Sequence, residues 1–188
     1  MQKRMMCLLA AGLMLSGSVW ANLLTNGDFN TGDLSGWWTW VPDTVNQSIS
    51  IETAYTYDAT PNAKMWSATD GAWQEMGQSF AVAAGAEYVL SLVYSATDWA
   101  NAGINLKYWD SSWSYVGYQW ITLLTPPNSG QWTSFVQTFT TPAGAAYAEV
   151  KFAMGGWGTL YVDNVSVVPE PASLVMLGLG GLALIRRK

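Results

Sequence analysis

The sequence contains no histidine and a single cysteine, Cys7. Because Cys7 lies in an N-terminal segment that we interpret below as removable, the mature chain can form neither a disulfide nor a thiolate or imidazole centre. Ser-His-Asp and Cys-His catalysis and histidine-based metal sites are therefore excluded. An enzyme would have to use a carboxylate pair about 5 to 9.5 Å apart in a cleft. No spacing in the sequence pairs the available acids, so we predict that the protein is not an enzyme; these acids are Asp98, Asp110, Glu75 and Glu149.

Basic residues are also scarce. The chain has 8 Lys and Arg residues against 13 acids, a formal net charge of −5. Five of the basic residues lie at the two ends, so residues 22–168 keep three lysines against twelve acids, a formal net charge of −9. Nucleic acid is not expected as a partner, because phosphate binding needs clustered Lys and Arg. An acidic, Trp-rich surface without arginine suits a neutral ligand or a cation.

Residues 1–21 have the three parts of a secretory signal peptide. Lys3 and Arg4 precede an uncharged apolar stretch, and the segment ends at the small residue Ala21. The apolar stretch has no polar face, which a buried amphipathic helix would need. We predict that cleavage after Ala21 releases an exported chain.

Residues 169–188 form a second unusual segment. Pro169-Glu170-Pro171 precedes fourteen uncharged residues, and Arg186-Arg187-Lys188 ends the sequence. As a helix, the uncharged part would cover about 21 Å against a hydrocarbon core of about 30 Å, which is short for a permanent anchor. The basic end should stay in the cytoplasm, so the segment would stop translocation and leave the rest of the chain outside.

The order of Pro-Glu-Pro, apolar helix and basic end resembles a PEP-CTERM sorting signal. The resemblance implies processing by an exosortase, an inner-membrane enzyme of Gram-negative bacteria that also make exopolysaccharide. It further implies the export machinery as a partner and a transient anchor in the inner membrane through the short hydrophobic helix. The expected final location is the outer surface, the extracellular matrix or the medium. The alternative is a plain C-terminal anchor, in which Pro-Glu-Pro would have no role.

Between the two ends, residues 22–168 alternate apolar and polar side chains over short runs separated by Gly, Pro, Asn and Asp. This pattern is typical of antiparallel strands, and no long amphipathic helix is predicted. Because two packed sheets bury the apolar face of each strand, we predict an all-β domain, a two-sheet antiparallel jelly-roll sandwich. In strand 146–154, Glu149, Lys151 and Ala153 are predicted to face solvent. The predicted strands are 49–54, 63–67, 73–82, 87–96, 103–109, 114–121, 132–140, 146–154 and 158–167.

The opening NLLTNGDFNTGDLSGWWTW, the WTSF run that leads into FTTP and the closing LYVDNVSVV resemble the jelly-roll carbohydrate-binding modules of the galactose-binding-like superfamily. Such modules often hold a structural Ca²⁺, a cation that takes six to eight oxygen ligands. The resemblance implies three donors: Asn30, where the family usually has Glu; Asp58 or a neighbouring backbone carbonyl of the 58–61 loop; and Asp163. The alternative is that Asp28 and Asp163 are turn and cap acids that accept backbone hydrogen bonds.

The 12 Trp, 9 Tyr and 5 Phe residues divide into two groups. Six in regular strand positions are predicted to fill the core: Trp37, Phe80, Trp132, Phe135, Phe139 and Phe152. Others lie beside Gly, Ser, Asn and Asp, where an exposed ring can stack on the apolar face of a pyranose while amides and carboxylates bond its hydroxyls. Each such ring could instead pack against a loop. The candidate ligand-binding residues, of which the resemblance favours Trp73, are Trp73, Trp99, Trp109, Trp113, Tyr115, Trp157, Gln74, Gln78, Asn105 and Asp110.

These observations predict an exported protein that binds neutral polysaccharide or exopolysaccharide without chemical turnover. The alternative is a structural surface or matrix protein without specific sugar binding, in which the uncharged SWSYVGYQWI segment would mediate self-association. A saturable effect of sugar on Trp fluorescence is expected for the polysaccharide-binding protein and not for the structural one.

Overall fold

Ten β-strands make up the secondary structure of the described residues. The structure, a computed structural model, describes residues 21–71, 73–98, 101–124 and 130–170, without the side chains of 122–124. Within these ranges there is no helix, and hence none long enough to cross a membrane. The predicted C-terminal helix and all of the predicted signal peptide except Ala21 lie outside them. The strands are β1 (Trp38–Trp40), β2 (Gln47–Glu52), β3 (Asn62–Ser67), β4 (Gln74–Ala81), β5 (Glu87–Asp98), β6 (Ala102–Trp109), β7 (Tyr115–Leu124), β8 (Thr133–Thr140), β9 (Tyr147–Met154) and β10 (Gly158–Pro169).

The strands form two five-stranded antiparallel sheets. Sheet A has the order β1-β4-β9-β6-β7, and sheet B has the order β2-β3-β10-β5-β8. Because successive side chains of a strand point to opposite faces, every second residue of each sheet faces the other sheet. The predicted all-β, two-sheet sandwich is confirmed.

The core lies between the sheets. Phe152 of sheet A and Met65 and Leu160 of sheet B are fully buried there, and burial of each such side chain stabilises the fold by about 1.5 to 3 kcal/mol. The N-terminal segment adds Phe29, whose ring centroid is 5.5 Å from that of Trp37. The core therefore includes a segment that precedes the first strand.

All nine predicted strands are present, with ends shifted by three residues or fewer. The prediction missed β1, because its three residues are too few to show an alternating pattern.

Among the predicted core aromatics, Phe135 is only partly buried against the core. The prediction that Trp132 fills the core is wrong: its ring stacks on that of Tyr55, with centroids 5.6 Å apart. Because Trp132 precedes the first residue of β8, strand alternation does not direct its side chain into the core.

The N-terminal segment pairs with the last strand. The side chain of Asn22 donates to Val165 O at 2.8 Å and accepts from Val167 N at 2.9 Å. Leu23 N donates to Val167 O at 2.9 Å. Strand β10 is thus bonded to β3 along its first half, to the N-terminal segment along its second half and to β5 along most of its length.

Strand β10 continues across the predicted domain boundary at residue 168. Pro169 pairs with Tyr88, and Glu170 N donates to Glu87 O at 2.9 Å. The first two residues of the Pro-Glu-Pro segment therefore belong to the folded sandwich, whereas Pro171, Arg186 and Arg187 lie outside the described residues.

Candidate functional site

The surface of sheet A that points away from the core carries a set of exposed aromatic rings around a charged centre. It is termed the aromatic face here. Strand alternation places its residues on the side opposite to core residues such as Met76, Ile104 and Phe152. The strands contribute Trp38, Trp40, Glu75, Gly77, Ser79, Gly103, Asn105, Lys107, Trp109, Tyr115, Tyr118, Trp120, Tyr147, Glu149, Lys151 and Ala153.

One row of paired residues crosses the whole aromatic face. The pairs run from Trp38 through Gly77, Lys151 and Asn105 to Trp120. Directly paired residues on neighbouring strands lie on the same face of the sheet. With five strands about 4.8 Å apart, the two Trp backbones stand about 19 Å from each other at opposite edges. A polar centre therefore lies between two indole rings.

Both edge rings lean inward over a glycine of the adjacent strand. A Cβ atom built on Gly77 would be 2.8 Å from Cζ2 of Trp38, and one built on Gly103 would be 2.6 Å from Cζ2 of Trp120. Each ring thus contacts the backbone where a side chain is missing. Trp38 and Trp120 remain 38% and 43% exposed, so each ring still presents a surface to solvent.

Trp73 adds a third ring at the end of the face near Trp120. Its ring lies on Gly155, where an added Cβ would be 2.6 Å from Cε2. The rings of Trp73 and Trp120 meet edge to face, with centroids 5.8 Å apart and planes at 79°. Three Trp residues that are distant in sequence therefore share one surface.

The β6–β7 hairpin places another Trp at the opposite end of the face. A carboxylate oxygen of Asp110 accepts two backbone hydrogen bonds of the hairpin, at 2.8 and 2.9 Å. Trp113 has a φ of 62° in this turn. Its ring stacks on Tyr147 with centroids 4.3 Å apart and lies 6.0 Å from that of Trp109. This end of the face is therefore also aromatic.

Two acids and two lysines occupy the centre of the face. Lys151 Nζ lies 2.5 Å from Glu75 Oε1. Burial raises the pKa of the Glu149 carboxyl, opposed by the charges of Lys107 and Lys151 and by a hydrogen bond from Trp38. Burial also lowers the pKa of the Lys107 ammonium, and the charge of Lys151 adds to that effect. The four charges sum to zero, so the face is neutral within an acidic domain.

The predicted exposure of strand β9 is wrong. Glu149, Lys151 and Ala153 point away from the core as expected, but they are only 7%, 5% and 2% exposed. Alternation fixes the direction of these side chains. Part of their cover comes from other strands: Trp38 of β1 donates a hydrogen bond to Glu149, and Glu75 of β4 pairs with Lys151. Alternation alone does not reveal these contacts.

The structure brings five of the predicted ligand residues to this face or its ends: Trp73, Trp109, Trp113, Tyr115 and Asn105. Asn105 Oδ1 is buried without a hydrogen-bond partner among the described residues. Asp110 lies in the adjoining hairpin, where its carboxylate holds the turn.

The remaining candidates lie elsewhere. Gln74 and Gln78 point to the buried side of β4, where Gln74 donates to Trp66 O and the Gln78 amide bonds both backbone groups of Thr25. Trp157 is exposed in the β9–β10 turn, and Trp99 lies outside the described residues. Neither glutamine side chain is on the aromatic face.

Sequence reasoning missed the rings at the two edges of the face, Trp38, Trp40, Tyr118 and Trp120. A signal was present, because WTW and YQW each place two aromatics two residues apart. On a strand, that spacing puts both rings on one face. The charged centre was missed as well, because only the pairing of distant strands assembles it.

The predicted Ca²⁺ donors belong to other parts of the chain, namely the N-terminal segment, the β2–β3 loop and β10. Asp163 is fully buried, and its Oδ2 has no hydrogen-bond partner among the described residues. Burial raises the pKa of Asp163 to about 7, and the charges of Asp58 and Asp28 add to this effect. Asn30 donates to Asp28 at 2.8 Å. Within the described ranges no three Asp, Glu or Cys side chains form a metal-binding group. The observation that fits a cation is the unpaired Oδ2 of Asp163 under the influence of the charges of Asp58 and Asp28.

The turn and cap roles proposed for these acids are also present. Asp28 accepts from Asn30 N at 3.3 Å, and Asp163 accepts from Asn164 N at 2.7 Å through Oδ1. A cavity of about 300 Å³ adjoins them, lined in part by Asn26, Asp28, Asn164 and Ser166. Capping therefore uses one oxygen of Asp163 and leaves the other without a donor.

Comparison with known families gives two matches. Residues 21–164 match a family profile described as a carbohydrate binding domain. Residues 167–188 match the PEP-CTERM protein-sorting motif. Among curated protein sequences, none matches the chain.

Several solved structures share the fold. TmCBM61, solved in complex with beta-1,4-galactotriose, is 15% identical over 80% of this chain and 99% of its own, with a TM-score of 0.58. A family 16 carbohydrate binding module is 22% identical over 78% and 99%, with a TM-score of 0.55. The enzymatically active domain of tailspike protein 4 from bacteriophage CBA120 is 16% identical over 79% of this chain, with a TM-score of 0.69, but the match covers only 21% of the tailspike chain. At these identities the likeness concerns the fold alone.

Proposed function

Because this chain belongs to the carbohydrate binding domain family and ends in a PEP-CTERM sorting motif, we propose that it is an exported, non-catalytic binder of neutral polysaccharide or exopolysaccharide. The proposed binding surface is the aromatic face of sheet A. The proposed mechanism is stacking of sugar rings on exposed indole and phenol rings, with hydrogen bonds from the polar centre.

The observation that carries this proposal is the row from Trp38 to Trp120. An indole at each edge offers an apolar surface for the C–H face of a pyranose. Between them, the partly exposed side chains of Glu75 and Lys107 supply hydrogen-bonding groups for hydroxyls. Stacking surfaces beside a few fixed polar groups are what sugar recognition requires.

The charge of the face supports a neutral ligand. Two of the three lysines in residues 22–168 lie on it, and each is matched by an acid. A charged polysaccharide would gain no net attraction from this surface, and the remaining acidic surface would repel an anionic one.

The size of the face supports a polymer. From Tyr147 to Ala153 it extends about 20 Å along the strands, since each residue of a strand adds about 3.4 Å. It extends about 19 Å across them. Both lengths exceed a single sugar ring, so several units of a chain fit.

The sorting motif supports handling by an exosortase at the inner membrane. We propose that the tail anchors the chain there transiently, and that the protein then reaches the outer surface, the extracellular matrix or the medium. A polysaccharide ligand at that location would be encountered outside the cell.

We also propose a structural Ca²⁺ held by Asp163, Asp58 and Asn30. The unpaired Oδ2 of Asp163 supports this, because a buried carboxylate oxygen without a donor is costly unless a cation compensates it. When bound, the ion would neutralise the carboxylates that face each other between the N-terminal segment and β10.

Affinity electrophoresis of the full chain in mild detergent tests the binding function. The gels hold a panel of neutral polysaccharides, the host's exopolysaccharide and one acidic polysaccharide. We expect retardation by a neutral polymer that the Trp38→Ala, Trp120→Ala double variant loses. Trp66→Ala is the matched control, because Trp66 is an exposed Trp of sheet B.

Two outcomes would contradict the proposal. Retardation by the acidic polymer alone would refute a neutral ligand. Unchanged mobility in every gel would refute glycan binding and favour the structural matrix protein, which could associate through the edge strand β7, where Tyr115 and Tyr118 are exposed.

A further inference from the structure

Gly155 has a direct steric relationship to the exposed ring of Trp73. A Cβ built on Gly155 would be 2.6, 2.7 and 2.9 Å from Cε2, Cδ2 and Cζ2 of that ring. Cε2 and Cδ2 are the two carbons shared by both rings of an indole, so a point this close to both lies over the ring face. The indole therefore lies flat on the backbone of Gly155, and any side chain at this position would displace it.

Two further glycines of the face have the same relationship to a Trp. An added Cβ would be 2.8 and 3.0 Å from Cζ2 and Cε2 of Trp38 at Gly77, and 2.6 and 2.9 Å from the same atoms of Trp120 at Gly103. At these two positions a carbonyl oxygen of the sheet is also close, at 3.0 and 2.9 Å. Only at Gly155 are the three nearest atoms all in the Trp ring.

Backbone conformation does not explain why glycine occupies these three positions. None of Gly77, Gly103 and Gly155 has a positive φ, so other residues could adopt their backbone angles. Gly117 on β7 also lacks a positive φ, but a Cβ there would meet nothing within 4 Å. The close ring is thus what distinguishes the three positions.

Although each of the three Trp rings contacts the backbone of a glycine, part of its surface is still accessible to a ligand. Trp38, Trp73 and Trp120 are 38%, 39% and 43% exposed, as expected for rings with one side on the backbone and another in solvent. Contact with the backbone buries apolar ring surface and restricts the side-chain rotamer. A ring that is already held in place loses less conformational entropy when a ligand stacks on it.

We propose that Gly77, Gly103 and Gly155 are positioning residues of the aromatic face. By lacking a Cβ, they allow the three indoles to rest on the sheet, which sets the height and orientation of the stacking surfaces. The edge-to-face contact of Trp73 with Trp120 depends on this placement at both rings. The effect on glycan affinity rests on the proposed function, whereas the placement of the rings does not.

Gly155→Ala is the test variant, with Gly117→Ala as the matched control. The backbone hydrogen bonds of Gly155, from Gly71 N to its carbonyl and from its N–H to Asn101 O, do not require the missing side chain. A Trp73→Ala variant and the Trp73→Ala, Gly155→Ala double variant complete a double-mutant cycle. All are made in the full chain.

Three measurements are taken on each variant. The exciton couplet of the Trp73–Trp120 pair in circular dichroism reports the ring placement without a ligand. Affinity electrophoresis reports glycan binding, and thermal unfolding reports stability. We expect Gly155→Ala to lose the couplet and to weaken glycan binding by about tenfold or more, with Tm close to wild type and no further loss in the Trp73→Ala background. Gly117→Ala should behave as wild type.

The outcomes separate the two proposals. A Gly155→Ala variant that keeps both the couplet and the affinity would overturn the positioning role. So would an equal loss of stability and affinity in the presence and absence of Trp73, because the glycine would then act on the fold. If Gly155→Ala loses the couplet but even the wild-type chain binds no polysaccharide, ring positioning stands and the proposed binding function fails.

Discussion

The indole of Trp113 lies on the phenol ring of Tyr147, with centroids 4.3 Å apart and planes 8° from parallel. Trp113 comes from the β6–β7 hairpin, and Tyr147 begins β9, the central strand of sheet A. The stack thus fixes the hairpin to the sheet. It also places aromatic surface at the end of the face farthest from Trp73.

Replacing Trp113 by alanine should reduce both stability and binding. Loss of the stack should lower the free energy of unfolding by about 0.5 to 1.5 kcal/mol, measured by chemical denaturation. Affinity for the polysaccharide should fall if its chain extends along the whole face, whereas Trp66→Ala should leave it unchanged. Lower stability with full affinity would confine the ligand to the Trp73 end.

Glu149→Gln should make the domain more stable at neutral pH. Burial raises the folded-state pKa of Glu149 above its ordinary value of 4.5, so the folded state binds this proton more tightly than the unfolded chain does. The stability of the wild type then falls as pH rises from the unfolded pKa through the folded one. The glutamine variant avoids this loss, so its advantage should be present at pH 7 and absent below about pH 4.

Denaturant unfolding across that pH range measures the difference, with the exposed Glu87→Gln as the control. A less stable Glu149→Gln variant at pH 7 would contradict the prediction. It would mean that Lys107, Lys151 and Trp38 compensate the buried charge in full.

Asn22→Ala should weaken the contact between the N-terminal segment and β10. The Asn22 amide bonds Val165 O and Val167 N, each at 2.9 Å or less. Each bond contributes about 0.5 to 1.5 kcal/mol, so the free energy of unfolding should fall by about 1 to 3 kcal/mol. Chemical denaturation measures the loss, and Asn101→Ala, at an exposed position, should show none. Equal stability of the two variants would show that the Asn22 side-chain bonds add nothing to the backbone bonds and apolar contacts of the segment.

Calcium should raise the melting temperature of the wild type and not that of Asp163→Asn. A ligand at about 100 times its Kd adds about 2.7 kcal/mol to stability. Without calcium, Asp163→Asn should be the more stable of the two, because it lacks the unpaired buried charge. Scanning calorimetry with CaCl₂ and with a chelator makes the comparison, and the exposed Asp98→Asn serves as the control. An equal response of wild type and Asp163→Asn to calcium would rule out this site.

The strands were predictable from the sequence because their alternation is a local property with a period of two residues. The same alternation puts Gln74 and Gln78 with Met76 and Phe80 on the buried side of β4, so the prediction of both glutamines as ligand residues was wrong on information that the sequence held. Alternation did not predict the burial of Glu149, because the ring that donates a hydrogen bond to this side chain belongs to Trp38, more than a hundred residues earlier. Cross-strand register decides which distant residues meet, and composition carries no record of it.

The position of β10 has a consequence for the order of folding. This strand is the last of the ten described and lies in the middle of sheet B, between β3 and β5. Until its residues have joined the sheet, β3 and β5 each have an unpaired edge, which is a site for mispairing with other chains. Because β10 ends at Pro169, within the residues that match the sorting motif, the sandwich is complete only once the first residues of that motif have joined sheet B. The last residues of the fold and the first residues of the sorting motif are therefore the same, residues 167–169.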